Sequence, residues 1–518
     1  MARRSFLFLL VVLAVVTCGL LLSIGSVTHA AKDRVVVAFG SNIPTLDPHM
    51  HSSRLAHIAD YHLYDTLLYR SPKDSYKPGP GLATSLRSLN PTTWELKLRQ
   101  GVKFHNGEPF NAESVKFTID RVLDPATKSV TRGNFTWIKE VKVVDEYTVQ
   151  LLTEKPFPAA PEFLTLAYIV PPKYLKSVGN EEFSRKPIGT GPYKHVEWRK
   201  AEHLIVEANK EYWKDSPKGM PQIKTIVFRT IPETTTQIAE LLSGGVDIIR
   251  NVPPDQIDVV KSSPNARISA TRILRVNFLK LDSFGRASQT PLTNQKVREA
   301  MAYAINVDEM LSKILGGYAE RTGSGVNPMH FGYDGSVKPY PYDPERAKKL
   351  LAEAGYPSGF EVTLNTYSGT ITSMDQMADA IGGYLAKVGI KVKRRNIEDV
   401  GTWTNSGKEG KLEGMQYYSW GSNSIFDADA LLYALGYSKE PLSYIKDPEF
   451  DKFLEVGQTE IDPKKRQEAY AKAQKLMHER FYWIPINVQH TIEGVNKQLN
   501  YEASSDEMMR VYGASWKE

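Results

Sequence analysis

Cysteine is almost absent from this chain: Cys18 is the only one in 518 residues. That excludes a disulfide framework and a cysteine-ligated metal site. No apolar run beyond the N-terminal segment approaches the ~20 residues needed to cross a bilayer. Low-complexity tracts, fixed-period repeats and long linkers are missing too. Charge of one sign is not in large excess. The formal net charge is +6, with Arg3 and Arg4 contributing two of it at the extreme N-terminus. So small a balance gives no argument for nucleic acid or an anionic surface as partner.

Catalytic signatures are equally scarce. There is no Gly-x-Ser-x-Gly elbow, and Gly323-Ser324-Gly325 lacks its spacing. Gly189-x-Gly191 lacks the third glycine of a dinucleotide loop and precedes a strand instead of a helix. No phosphate-binding Gly-Lys-Ser/Thr occurs, and His478-Glu479 is not followed by a second histidine at metalloprotease spacing. His49, His51, His57 and His62 fall within fourteen residues. One reading is an imidazole metal site; the other is loop histidines around the Leu46-Asp47-Pro48 turn. Without cysteine or a regular histidine spacing, the expectation is no metal and no cofactor.

What is present begins with an export signal. Arg3-Arg4, the apolar run Phe6 to Ile24 and the small residues Thr28 and Ala30 read as a secretory leader over residues 1–30, cleaved near Ala30. An uncleaved anchor is the alternative. Val16-Thr17 before Cys18 makes a poor lipidation signal.

The body is 41% hydrophobic and 24% charged, ordinary for a globular protein. Strand and helix signals alternate. Arg34–Phe39 is β-branched. Asn111 can cap a helix with Val115, Ile119 and Val122 on one face. Ile223 to Ile231, a helix ending at Gly244-Gly245, and Val246 to Ile249 read as a βαβ unit. Val297, Ala300, Met301, Ala304 and Ile305 form a buried helix stripe. Asn306 with Glu309, Asp343-Pro344 and Asp462-Pro463 each start a further helix. Pro187-Ile188-Gly189-Thr190-Gly191-Pro192-Tyr193 is a rigid corner. It feeds a strand in which Tyr193, Val196 and Trp198 alternate with polar residues. Tyr417-Tyr418-Ser419-Trp420-Gly421-Ser422-Asn423 offers aromatic walls beside polar groups, as a ligand pocket requires. It also reads as a core strand entering a loop, with Asp427 or Asp429 as a helix cap. Trp403 and Phe481-Tyr482-Trp483 read as core.

Seven blocks occur in an order that resembles the family 5 solute-binding proteins of peptide and nickel ABC importers. They are Thr45 to His49, Leu98 to Val115, the Gly189 to Tyr193 corner, Gly245 to Ile248, Val297 to Ala300, Ala304-Ile305 and Ala352 to Tyr356. The resemblance implies an α/β, two-lobed periplasmic-binding-protein fold with mixed sheets flanked by helices and an extra subdomain in the first lobe. The expected layout is lobe I over 31–273 plus 489–518, with an inserted subdomain near 60–185, and lobe II over 274–488. It implies a monomer that captures a peptide-like solute by hinge closure and delivers it to ABC permease transmembrane subunits, in the periplasm and with no catalysis. The ligand-binding candidates are Trp420, Asn423, Asp427, Tyr418, Asn277 and Tyr367. Peptide binders of the family carry an aspartate three residues after the tryptophan, where this chain has Asn423. Dipeptide binders use an arginine before a helix, and Thr372 to Met377 has none. A longer peptide or a neutral oligosaccharide therefore stays open. So do a secreted hydrolase and a module presenting ligand to a chemosensor.

Overall fold

A computed structural model describes residues 33–367, 371–421 and 424–517. The expected leader, its Ala30 cleavage point and Asn423 lie outside the described residues. Among the described residues no helix is long and apolar enough to cross a membrane.

One mixed sheet of eleven strands spans the molecule. Its axis is the antiparallel pair Ala266–Leu281 and Trp483–Asn496. On one flank lie Met415–Trp420, Glu361–Tyr367 and Lys391–Ile397; on the other lie Ile248–Ile249, Arg34–Phe39, Thr225–Thr230, His203–Ala208 and Tyr193–Arg199; the eleventh strand, Ala319–Arg321, pairs with Trp483–Asn496 off this path. The axial pair loses register between Arg272 and Val276 and again between Asn277 and Phe278. Such bulges bend a strand and sharpen its twist. Four separate hydrophobic cores sit around this axis. One is built only from residues between Val276 and Val488. Among the described residues the buried members of the other three come from before Ile273 and after Asn487, apart from Ile425; Ala430 and Tyr318 pack against two of them half-buried. A four-stranded antiparallel sheet, Ala83–Asn90, Thr93–Leu98, Thr148–Leu152 and Glu140–Asp145, carries its own core with the helix Ala112–Leu123.

Local chemistry explains most boundaries. Asn111 accepts from the Glu113 and Ser114 amides while Ser114 Oγ accepts from the Asn111 amide, closing a capping box. Val115, Ile119 and Val122 are fully buried beneath it. Asp343 and Asp462 cap helices that open on Pro344 and Pro463. Thr225–Thr230 and Ile248–Ile249 both run parallel to Arg34–Phe39, so the βαβ crossover passes over the first strand.

The Gly189–Tyr193 corner is tight for a steric reason. A Cβ on Gly189 would stand 2.0 Å from the Leu63 carbonyl oxygen, and one on Gly191 2.5 Å from that of His62. Neither glycine has a positive φ. Absence of a side chain, not an unusual dihedral, is what the corner needs. Val196 differs from the alternation expected: it is 53% exposed. A bulge between His195 and Glu197 shifts the register there and turns its side chain outward.

Candidate functional site

Where the axial pair bends, Asn277 lies opposite Ser419 on one side and Asn487 on the other. Its Nδ2 donates to Asn487 Oδ1 and Gln489 Oε1, at 3.3 and 3.1 Å, and its Oδ1 has no hydrogen-bond partner. Trp420 ends its strand half-buried, opposite Val276, and its indole Nε1 donates to the Ala430 carbonyl at 2.9 Å. That bond fixes the ring plane. Tyr418 is buried, stacked on Phe278 and 6.1 Å from the Trp420 ring. The Lys280 ammonium stands 4.3 Å from the Tyr418 ring centroid and donates to the Leu442 carbonyl. Burial, with help from Arg286, pushes its pKa well below the usual lysine range. Tyr367 is buried, donates to the Ser419 carbonyl at 3.3 Å and lies 4.7 Å from the Trp403 ring. Trp420, Tyr418, Asn277 and Tyr367 are thus gathered on one strand pair and its neighbour.

Asp427 is placed differently. Arg466 grips it bidentately at 2.6 and 2.7 Å, and Asp427 Oδ1 accepts from the Asp429 amide to start the helix Asp429–Gly436. Its carboxylate is satisfied within the protein. Trp403, Phe481, Tyr482 and Trp483 are buried in the core, and the strand Met415–Trp420 is buried from Met415 to Ser419.

The sequence reading missed the charged groups at this bend. Arg275 Nη2 donates to both oxygens of Glu507 at 3.2 Å, and Arg275 Nη1 donates to Ser419 Oγ at 3.4 Å. Arg54 approaches the same Glu507 at 3.6 Å and donates to Ser424 Oγ at 2.7 Å. Ser424 Oγ in turn donates to the Asp506 carbonyl at 2.8 Å. Burial opposes ionisation of Glu507, yet Arg275, Arg54 and Arg250 outweigh it and hold the carboxyl below its ordinary range. Ser424 and Glu507 both have left-handed backbones, φ 64° and 63°. Non-glycine residues pay of order 1–3 kcal/mol for such conformations, which cluster at ligand clamps and switches.

Beyond Ser424 the loop reaches into the other flank of the molecule. Ile425 is buried in the core of the four-stranded sheet. Phe426 stacks on Tyr76 at 5.1 Å, lies under the Arg70 guanidinium at 4.6 Å, and its amide donates to Glu162. Nothing in the sequence flags these pairings, because Arg54 and Ser424 stand 370 positions apart. Two of the four clustered histidines, His51 and His57, meet Asp60; among the described residues they form the group that could hold a metal ion.

The model of the bacterial extracellular solute-binding proteins, family 5 (middle region), matches residues 77–442. The chain is 31% identical over 521 aligned residues, 96% of each protein, to the glutathione-binding protein GsiB of Shigella dysenteriae serotype 1. A solved structure, the ABC transporter-associated periplasmic binding protein DppA of Helicobacter pylori in complex with the peptide STSA, superposes with a TM-score of 0.81. It is 27% identical, over 94% of this chain and 98% of that one. An ABC transporter substrate-binding protein from Listeria monocytogenes shares the fold with a TM-score of 0.83 at 22% identity, over 94% of this chain and all of its own.

Proposed function

The chain belongs to the bacterial extracellular solute-binding proteins of family 5, and from that premise we propose that it captures a small carboxylate-bearing peptide and delivers it to an ABC permease. The two-lobed fold supplies the means. Lobes joined by a bent strand pair close over a solute, and only a ligand that favours the closed form shifts that equilibrium. The lobe border proposed is the one expected from sequence, at 273/274 and 488/489. Trp420 and Asn423 keep their proposed place as ligand contacts.

One observation carries the choice of ligand. Arg54 and Arg275 both face the single carboxylate of Glu507 at the bend. Two guanidiniums against one carboxylate leave an excess positive charge in a largely dehydrated place. A ligand carboxylate would balance it with bidentate geometry. Glutathione, which GsiB is named for binding, presents two carboxylates on a tripeptide. Export to the periplasm and action with a permease accord with the family.

The test is calorimetric titration of the protein, freed of its N-terminal segment, with reduced glutathione and with di- and tripeptides. Mass spectrometry of any co-purifying ligand runs beside it. A peptide is expected to bind unchanged, and Arg275→Ala to weaken it at least tenfold, ~1.4 kcal/mol. Hydrolysis of the bound peptide, or a co-purified ligand without a carboxylate, would sink the proposal.

A further inference from the structure

His51 precedes the helix Arg54–Leu63, on which His57 and Asp60 lie one turn apart. His51 Nε2 is 3.0 Å and His57 Nδ1 3.5 Å from the same atom, Asp60 Oδ2. The three ligand atoms all lie within 4.8 Å of one another. His51 and Asp60 are 4% and 0% exposed.

The two distances to Asp60 suit a shared ion. Donors ~2.0–2.1 Å from one metal stand ~3.0 Å apart at a right angle and ~3.4 Å apart at the tetrahedral angle. The hydrogen bonding is just as telling. His51 Nδ1 and Asp60 Oδ1 are buried with no hydrogen-bond partner, while His51 Nε2 and His57 Nδ1 converge on the single atom Asp60 Oδ2. Buried polar atoms are normally satisfied, so the two orphaned atoms beside this convergence point to an occupant. The neighbouring histidines are otherwise engaged. His49 reaches the Tyr168 carbonyl and Arg121, at 3.0 and 2.7 Å, and His62 reaches the Ile58 carbonyl at 2.8 Å.

We propose that His51, His57 and Asp60 bind one divalent transition-metal ion of the Zn²⁺ class, with water completing its coordination. The set of two imidazoles and one carboxylate suits zinc and leaves a position open. The ion would brace the first turn of the helix that aims Arg54 at Ser424 and Glu507.

The experiment uses the protein purified without a histidine tag, stripped with a chelator and titrated with zinc chloride near neutral pH. One tightly bound equivalent and a rise in Tm are expected. His51→Gln with His57→Gln should weaken binding at least 100-fold. Less than one equivalent in the wild type, or equal affinity in the double variant, overturns the assignment. Should the variant not fold, X-ray absorption of the wild-type zinc complex decides. Two imidazoles bound directly to the zinc support the site, and fewer than two overturn it.

Discussion

Two buried polar clusters, one on each side of the bent strand pair, are wired in opposite ways. In one, Arg466 donates to both oxygens of Asp427, to the Gly457 carbonyl at 2.6 Å and to the Tyr470 hydroxyl at 3.2 Å. In the other, His51 and His57 converge on one oxygen of Asp60 while His51 Nδ1 and Asp60 Oδ1 have no hydrogen-bond partner. The difference separates roles. A fully paired cluster holds a loop in place. A cluster of unpaired donors and acceptors is a site awaiting a partner. The Arg54–Arg275–Glu507 group lies between these limits, paired but carrying surplus charge.

The largest expected effect tests the paired cluster. Arg466→Ala would leave the Asp427 carboxylate buried without its partner, a loss of about 3–5 kcal/mol. Chemical denaturation would show it as a lower midpoint with an unchanged slope. A loss under ~1 kcal/mol would mean that water reaches Asp427, and the contrast with the histidine cluster would collapse. The loop that Asp427 anchors also carries Ser424 and Phe426, so ligand affinity is expected to fall with stability.

How much of this was written in the sequence depends on distance along the chain. Asn111, Asp343-Pro344 and Asp462-Pro463 announced their helices because capping acts within a few residues. The strand Met415–Trp420 and its aromatic character were legible for the same reason. The Leu46-Asp47-Pro48 segment was visible as a motif, but not its partner: Asp47 is gripped by Arg121, 74 positions away. The sequence offers Asp427 as a ligand candidate because Arg466, on the helix Pro463–Glu479, leaves no local trace. Arg54, Arg275 and Glu507 were invisible because only the bend of the axial strands brings them together. The histidine cluster was half legible. His57 and Asp60 share a helix face by spacing alone, but Asp60 went unnoticed and His51 joins from outside that helix.

A second prediction probes the paired cluster through pH. Burial, reinforced by the Asp427 carboxylate, pushes Asp429 up to about 7. The ordinary value is 3.8. The folded state therefore takes up a proton that the unfolded state does not, between those two values. Stability from this group is present at low pH and is lost as pH rises from about 4 to 7. Asp429→Asn removes that slope. Relative to the wild type, the variant should gain on the order of 3 kcal/mol between pH 4 and pH 8. Parallel Tm-against-pH curves would show instead that Asp429 is ionised throughout and that Arg466 serves both carboxylates.

The smallest effect belongs to the unpaired cluster, and its smallness is the point. Asp60→Asn keeps the shape of the side chain and removes a charge that meets His51 and His57 at 3.0 and 3.5 Å. In metal-free protein the change should lie within about 1 kcal/mol, since the lost attraction to the histidines is offset by relief of a buried charge. In zinc the variant should lack the rise in Tm shown by the wild type, because an amide replaces the only anionic ligand. A drop of several kcal/mol without metal would place Asp60 with Asp427, as one half of a structural pair with the histidines. The two clusters would then differ in geometry alone and not in purpose.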